Sequence, residues 1–476
     1  MSRFTHIPYV VLIAALSAVI LIPAGCDRET PAPIIAVESL QLNSGQRSAS
    51  KSSISAEASG LGAETPSSAI KPHFVKQIDW SEKGIWVKTD THIHTTFSDG
   101  SNSVEDVVLK AKSFGCDVIA ITDHADRNLK AATPEYLEAI EASRRQHSEM
   151  IILAGLEWNI PPWGGDEHAT VLVSPDVDEW KTLSVFKSRF DDLGLMKHKA
   201  ELAEEALRWL DANAVKKGVK PVVIYNHPSR KNDSSMETVK HVLAWRKIND
   251  LVIGFEGAPG HQGNKAIGSY KRKVKTVDRW DPVVATVGDG WDTLLGKGID
   301  VWAARADSDF HNNRPSDLND FWPGQFSETW LYVPKRSPNA VLQAFRAGSF
   351  FGAHGHIARQ VELTVEAEGL ARRAYPGEAI ALPAGKSITV RVKCVVPAKD
   401  WRGQPNRVDV VELIAINKDS ASIIAKKSLS SDGIVQFDSM EVPKGGLVLR
   451  ARGRRILSDA PHLLFCTNPI RIQTDN

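Results

Sequence analysis

The order of residues between Lys88 and Asp126 narrows the possible folds of this chain more than any other stretch. An apolar run ends in KTDTHIHTTFSDG, the segment SVEDVVLKAKSFG follows, and a second apolar run ends in CDVIAITDHAD. His92 and His94 stand two residues apart, Asp99 occupies a turn, and His124 follows the second run directly. Side chains two apart on extended backbone point to one side, so these donors can converge at the mouths of two neighbouring strands. The segment between them reads as a helix. Ser103 and Asp106 make a capping box, Val104, Val107, Val108 and Ala111 share one face, and Gly115 stops it.

The alternation continues downstream. Strand-like runs fall at 85–89, 118–122, 151–156, 169–173, 222–225, 252–255, 301–306 and 329–333. Thr133-Pro134 opens a second helix, 195–217 reads as a third, and Ser337-Pro338 opens a fourth that ends at Gly348. Strand and helix alternating over roughly 270 residues predict a parallel α/β fold, at this length a barrel. After about residue 360 the period becomes two, with Val361, Leu363 and Val365, then Ile388, Val390, Val392, Cys394 and Val396. Further runs at 408–416, 423–426, 446–450 and 462–466 predict an antiparallel β-sandwich.

The 476 residues are 42% hydrophobic and 24% charged, enough for a large core, and the net charge is +1. That balance carries no electrostatic footprint for nucleic acid or an anionic membrane surface. None of the four cysteines has CxxC spacing, which argues against a thiolate zinc site. Cys116 reads as a small buried residue; Cys394 and Cys466 can pair as a disulfide in an oxidising compartment or stay as buried thiols. Residues 1–26 read as an export signal. Arg3 precedes an apolar run over 9–22 that is short for a membrane span, and Pro23-Ala24-Gly25-Cys26 resembles a lipobox that would lipidate Cys26, although Pro23 departs from the usual leucine-like residue. An ordinary signal peptide or an uncleaved anchor are the alternatives. All three place the folded part outside the cytoplasm, periplasmic or at the cell surface, with membrane contact only through the N-terminus. Residues 27–75, rich in serine, read as a disordered tether. The folded regions expected are 76–360 for the barrel and 361–476 for the sandwich.

Potential ligands stand at nearly every strand end of the α/β region: Glu157, His227, Asp307, Asp309 and His311 join the first four, while His168 opens a strand. Asp90-Thr-His92-Ile-His94, Ser98-Asp99-Gly100 and Ile121-Thr122-Asp123-His124 resemble the opening signature of the PHP (polymerase and histidinol phosphatase) superfamily. Glu157 in AGLEWN, His168 in EHATVLV, His227 in YNHP, and Asp309 with His311 in DSDFH match its later motifs in order. The resemblance spans about residues 84–360. It implies a distorted (β/α)7 barrel with three divalent metal ions. His92, His94, Glu157 and Asp309 would hold one; Glu157 would bridge to a second held by His168 and His227; Asp99, His124 and His311 would hold the third. Asp90, Asp123 and Asp307 stand beside ligands, either orienting them or serving as strand-end turn residues. The segment from Gly352 to His356 reads as a domain junction.

Nitrogen and oxygen donors suit zinc, manganese or iron. One Glu and two Asp against three divalent ions and a bridging hydroxide leave a charge of about +2, which favours a small anionic substrate such as a phosphate ester. The chemistry expected is attack by a metal-activated hydroxide on a phosphate mono- or diester, with Glu157 and Asp309 holding the metals. His261 or a metal-bound water would protonate the leaving group, and Arg305 and Arg314 are candidate substrate contacts. Two other readings stand beside it. The order of barrel and sandwich, closing in Thr467-Asn468-Pro469-Ile470, resembles the branch that includes carbaryl hydrolases, which implies carbamates, amides or carboxylic esters as substrates. A lipoprotein that binds a ligand without turnover is the other. No Walker loop, nucleophile elbow or dinucleotide fingerprint is present.

Overall fold

The computed structural model describes residues 71–474 apart from 196–197, 232–233, 264–266, 269, 271–273 and 314–319. The export signal, Cys26, Arg314 and most of the tether lie outside the described residues. Strands β1 (His73–Lys76) and β2 (Ile85–Asp90) come first. Helix α1 (Val104–Ser113) leads to β3 (Val118–Ile121) and α2 (Pro134–Gln146) to β4 (Ile151–Asn159), followed by β5 (His168–Leu172). Then come α3 (Glu179–Phe190), α4 (Asp192–Leu195), α5 (Glu201–Asn213), β6 (Val222–Tyr225), α6 (Ser235–Arg246) and β7 (Val252–Phe255). After α7 (Pro282–Ala285) and α8 (Gly290–Gly296) follow β8 (Ser327–Val333), α9 (Pro338–Ala347) and β9 (Phe350–His354). The rest is strand: β10 (Arg359–Ala367), β11 (Ala379–Ala381), β12 (Ser387–Val395), β13 (Val410–Ile416), β14 (Ala421–Lys427), β15 (Ile434–Glu441), β16 (Leu447–Arg455), β17 (Leu463–Thr467) and β18 (Ile470–Gln473).

Local chemistry sets the anticipated helices. The Ser103 hydroxyl accepts from the Asp106 amide while the Asp106 carboxylate accepts from the Ser103 amide, closing the box at the start of α1. Thr133 caps α2 ahead of Pro134, and Ser337 caps α9, which ends at Gly348 with φ +78°.

Strand directions depart from an all-parallel barrel. β2, β3 and β4 are parallel neighbours and so are β6 and β7, but β5 runs antiparallel to both β4 and β6. Residues 160–167 are too short a link for the crossover that a parallel pair needs, so the chain turns straight back. β8 is also antiparallel to β2. The run at 301–306 forms no ladder; single bridges join it to the β7 side at Gly254–Trp302 and Ala258–Ala306. Gly254 permits this contact, because a Cβ there would lie 1.9 Å from the Trp302 carbonyl oxygen. The fold is therefore a mixed α/β layer whose sheet does not close into the expected (β/α)7 ring.

The sheet instead continues through β8 and β9 into β17, β16 and β18, and β1 joins its far end against β11. It crosses the boundary expected at 360/361. Facing this extension, β10, β12 and β15 form a second, antiparallel sheet. Leu363, Val365, Val390, Val392 and Phe437 of the small sheet share a core with Leu413, Leu449, Phe465 and Ile470 of the large one. Cys394 and Cys466 lie in opposite sheets as free buried thiols, so no disulfide joins them. His354 sits fully buried between Trp280 and Phe326, in keeping with a junction.

On β16, Leu449, Ala451 and Gly453 turn to one side and Arg450, Arg452 and Arg454 to the other, toward α7 and α8. Arg450 meets Asp292 through two hydrogen bonds of 2.8 and 2.9 Å, and Arg452 donates to the Ala285 carbonyl at 2.6 Å. Removing one partner of a buried ion pair strands the other charge. Asp292→Ala is therefore expected to lower stability by about 3–5 kcal/mol in urea unfolding. The double replacement Asp292→Leu with Arg450→Met should recover most of the loss. An Asp292→Ala midpoint equal to that of the parent protein would show that the pair is dispensable.

Candidate metal centre

The segment after β2 is pinned before it reaches the site. The Asp90 carboxylate accepts from the Ser308 amide at 3.1 Å, and the His94 amide donates to the Phe310 carbonyl at 2.8 Å. Ile93 is fully buried, which leaves His92 and His94 together on the other side. Asp123 organises the following turn by accepting from the Thr95 amide at 2.7 Å, the Thr95 hydroxyl at 2.8 Å and the Ser98 hydroxyl at 2.6 Å. Gly100 closes that turn, where a Cβ would lie 2.6 Å from the His94 backbone.

Glu157 lies near the end of β4, 1% exposed, with five imidazoles around its carboxylate. Its Oε1 is 3.0 Å from His92 Nε2, 3.1 Å from His168 Nδ1 and 3.3 Å from His227 Nε2. Its Oε2 is 3.2 Å from His94 Nε2 and 3.1 Å from His124 Nδ1. Asp309 faces the same space, with Oδ1 3.2 Å from His92 Nε2 and 3.3 Å from His94 Nε2. Asp99 stands at the open rim, 53% exposed, with Oδ2 3.4 Å from His311 Nε2 and 3.7 Å from His124 Nε2. Donor atoms within 4.8 Å of one another form four groups: His92, His94, Glu157 and Asp309; His124, Glu157 and His168; His94, Asp99, His124 and His311; and His261, Asp309 and His311. The nine residues singled out as ligands thus come together in space. His227 and Asp309 hold positive φ of +29° and +47°, strained backbone of the kind that gathers at functional sites.

The electrostatics fit a cation. Burial raises the Glu157 carboxyl, but the His92 imidazole first, with those of His168 and His124, outweighs it and holds it well below the usual range. Burial alone would lower His94, yet the Asp309 and Glu157 carboxylates beside its Nε2 lift it to about 10. Burial takes His124 and His227 down to about 3, leaving neutral imidazoles of the kind that ligate metals. Protons on buried imidazoles here offset carboxylate charge, a role that a bound metal takes over when protons leave its ligands. His94 Nε2 and His168 Nδ1 are buried without a hydrogen-bond partner, each turned toward the Glu157 carboxylate. The donor set and these two nitrogens fit bound divalent ions.

Several imidazoles are also fixed from behind. Glu256 Oε1 takes His92 Nδ1 at 2.6 Å, and its Oε2 accepts from the His227 amide at 2.8 Å. Asn226 donates to Glu157 Oε1 at 2.8 Å, and His168 Nε2 meets the Gly165 carbonyl at 2.9 Å. Asp320 Oδ1 lies 2.5 Å from His261 Nδ1, while His261 Nε2 faces Asp309 Oδ2 at 3.4 Å. Sequence reasoning missed Glu256, Asn226, Asp320 and Arg230, whose Nη1 donates to Asp309 Oδ2 at 2.9 Å. Glu256 directly follows the β7 run, the same signal that marked the other donors. Arg305 does not stand where a substrate contact would. It is 1% exposed, paired with Asp307 and donating to the Thr91 hydroxyl at 2.9 Å. Asp307 in turn accepts from Thr91 at 3.0 Å, so the two support the ligand segment from behind.

The PHP domain family model matches residues 90–220 of this chain. An uncharacterized protein of Methanocaldococcus jannaschii is 36% identical over 78 residues, 16% of this chain, and the chain spans only 36% of that relative's length. Among solved structures, a two-domain protein containing a predicted PHP-like metal-dependent phosphoesterase from Bacteroides vulgatus is 14% identical, with 87% of this chain and all of that one covered and a TM-score of 0.37. An amidohydrolase from Chromobacterium violaceum is 16% identical over 48% of this chain and 89% of its own, with a TM-score of 0.28. Residues 90–220 are thus similar to the PHP domain family, and the two solved structures are distant likenesses.

The Asp123 side chain holds the turn that carries Asp99, while its backbone carbonyl accepts from the Glu157 amide at 3.1 Å. Asp123→Ala is expected to weaken metal binding about 10–100-fold with circular dichroism unchanged. Titration of metal-free protein with zinc or manganese by calorimetry checks it, and an unaltered affinity would reduce Asp123 to a turn former.

Proposed function

We propose that this chain is a metal-dependent phosphoesterase acting on phosphate mono- or diesters. One observation carries the reading: nine residues with nitrogen or oxygen donors cluster around Glu157 and Asp309, which are themselves two of the nine, and only three of the nine are carboxylates. Three divalent ions of zinc, manganese or iron, when bound, would supply Lewis-acid activation of water and positive charge for phosphoryl oxygens. In this assignment Glu157 would hold two of the ions, one together with His92, His94 and Asp309 and the other with His168 and His227, while Asp99, His124 and His311 would hold the third. His261 donates a proton to the leaving oxygen from Nε2, and Asp320 keeps its ring turned that way through Nδ1. Placement outside the cytoplasm on a tether rests on residues 1–75 alone.

Metal-loaded protein assayed against p-nitrophenyl phosphate, bis-p-nitrophenyl phosphate, nucleoside bisphosphates and aryl carbamates is expected to turn over phosphate compounds. Chelation or Glu157→Ala should bring turnover to background. Hydrolysis of carbamates or carboxylic esters with no phosphate compound cleaved would replace this reading by the carbamate and ester one; metal binding without any turnover would leave a ligand-binding protein. His261→Gln should slow alkyl phosphates, whose leaving group needs a proton, by about 10²–10⁴-fold. It should hardly affect p-nitrophenyl phosphate, and an equal loss on both would remove His261 from proton transfer.

A further inference from the structure

We infer that Arg230 is the residue that grips the substrate's phosphoryl group, through the Nε and Nη2 edge of its guanidinium. The inference deepens the phosphoesterase reading and rests on it. Arg230 follows His227 by three residues, and its amide donates to the His227 carbonyl at 2.9 Å in a tight turn. Ser229 locks that turn, because its amide and hydroxyl both donate to the buried Asp281 carboxylate, at 3.0 and 2.7 Å. The base of the arginine is therefore set before any ligand arrives.

Its head makes one bond, from Nη1 to Asp309 Oδ2 at 2.9 Å. Nε and Nη2 are buried and meet no acceptor among the described residues. The neighbouring acceptors are engaged elsewhere. Glu256 serves His92 and the His227 amide, and the Tyr270 hydroxyl donates to Asp281. A counter-ion for Asp309 alone would need only the Nη1 side. A buried donor left without an acceptor is costly, so an arginine held this way wants a second partner. The open edge is the planar fork that binds two oxygens of one phosphoryl group. Asp309 anchors the other side of the same guanidinium, so a group on the fork would lie beside the donors that surround Glu157. Arg305 likewise leaves Nε and Nη1 without a partner, but its head is turned to Thr91 and Asp307 behind the ligand segment, whereas Arg230 is tied to Asp309.

Inorganic phosphate is the probe. Calorimetry on metal-loaded protein should show phosphate binding that weakens about 10–100-fold in Arg230→Gln, as expected for lost charge-assisted bonds. Arg230→Lys keeps the charge beside Asp309 but cannot form the fork, and should still lose about 10-fold. The KM for a phosphate monoester should rise in step with the loss of phosphate affinity. Metal content is measured on each variant, and if Arg230→Gln loses metal or melts early, Arg230→Lys decides. Phosphate affinity within about three-fold of the parent in Arg230→Lys and in metal-replete Arg230→Gln, with phosphate esters still cleaved by the parent, overturns the inference and leaves the phosphoesterase reading standing. A parent that cleaves no phosphate ester and binds no phosphate overturns both.

Discussion

A buried carboxylate with no counter-charge is among the least favourable groups a fold can hold. Glu157 is such a group, and its surroundings are the answer to it. β4 is buried along all nine of its residues, so its end carries Glu157 inward whatever the side chain prefers. Two neighbours then bring imidazoles to it: β3, whose continuation bridges to Glu157 at His124, and β5, which begins with His168. His92, His94 and His227 arrive from further strand ends. Each of these imidazoles is close enough to stabilise the carboxylate, and together they make a set that accepts cations. Stability of the interior and competence of the site are the same interaction viewed from two sides.

Capping explains which parts of this could be read in advance. Ser103, Thr133 and Ser337 act on backbone within three residues, so α1, α2 and α9 are legible from local order. The donors are legible for a related reason, since each follows or opens an apolar run whose end must lie at a sheet edge. The direction of β5 is set by the length of one link and by where β6 lies, and the expected parallel barrel failed there. The supporting shell was illegible because its partners are remote: Glu256 reaches His92 across 164 positions. Arg305 reads in the sequence as a candidate substrate contact because nothing near it in sequence shows that Thr91 and Asp307 enclose it.

The segment at 301–311 shows the same limit and how the fold deals with it. It delivers Asp309 and His311, yet lacks a ladder on either side. Gly254 and Gly260 let it approach closely, and at Gly260 a Cβ would come within 1.9 Å of the Asp309 Cβ. A side chain at either glycine would displace the ligand-bearing backbone directly. Conformational freedom matters less at these two positions than the volume left out.

Backbone amides of an unpaired buried segment still need acceptors. For Ala303 and Ala304 the acceptor is the side chain of Asn468, at 3.2 Å to each amide. The same side chain donates to the carbonyls of Gly348 and Phe350, at 3.2 and 3.3 Å, and it is fully buried. Asn468 thus stands between β17 and β18 and ties the C-terminal sheet to the strand-like segment that carries two of the nine ligands. A spacer would touch the α/β region through its surface; this region instead completes hydrogen bonds inside it. The continuous sheet through β9 and β17, the Arg450–Asp292 pair and Asn468 all lie on that seam. The C-terminal strands therefore belong to the framework that sets the position of Asp309, although they contribute no donor to the centre.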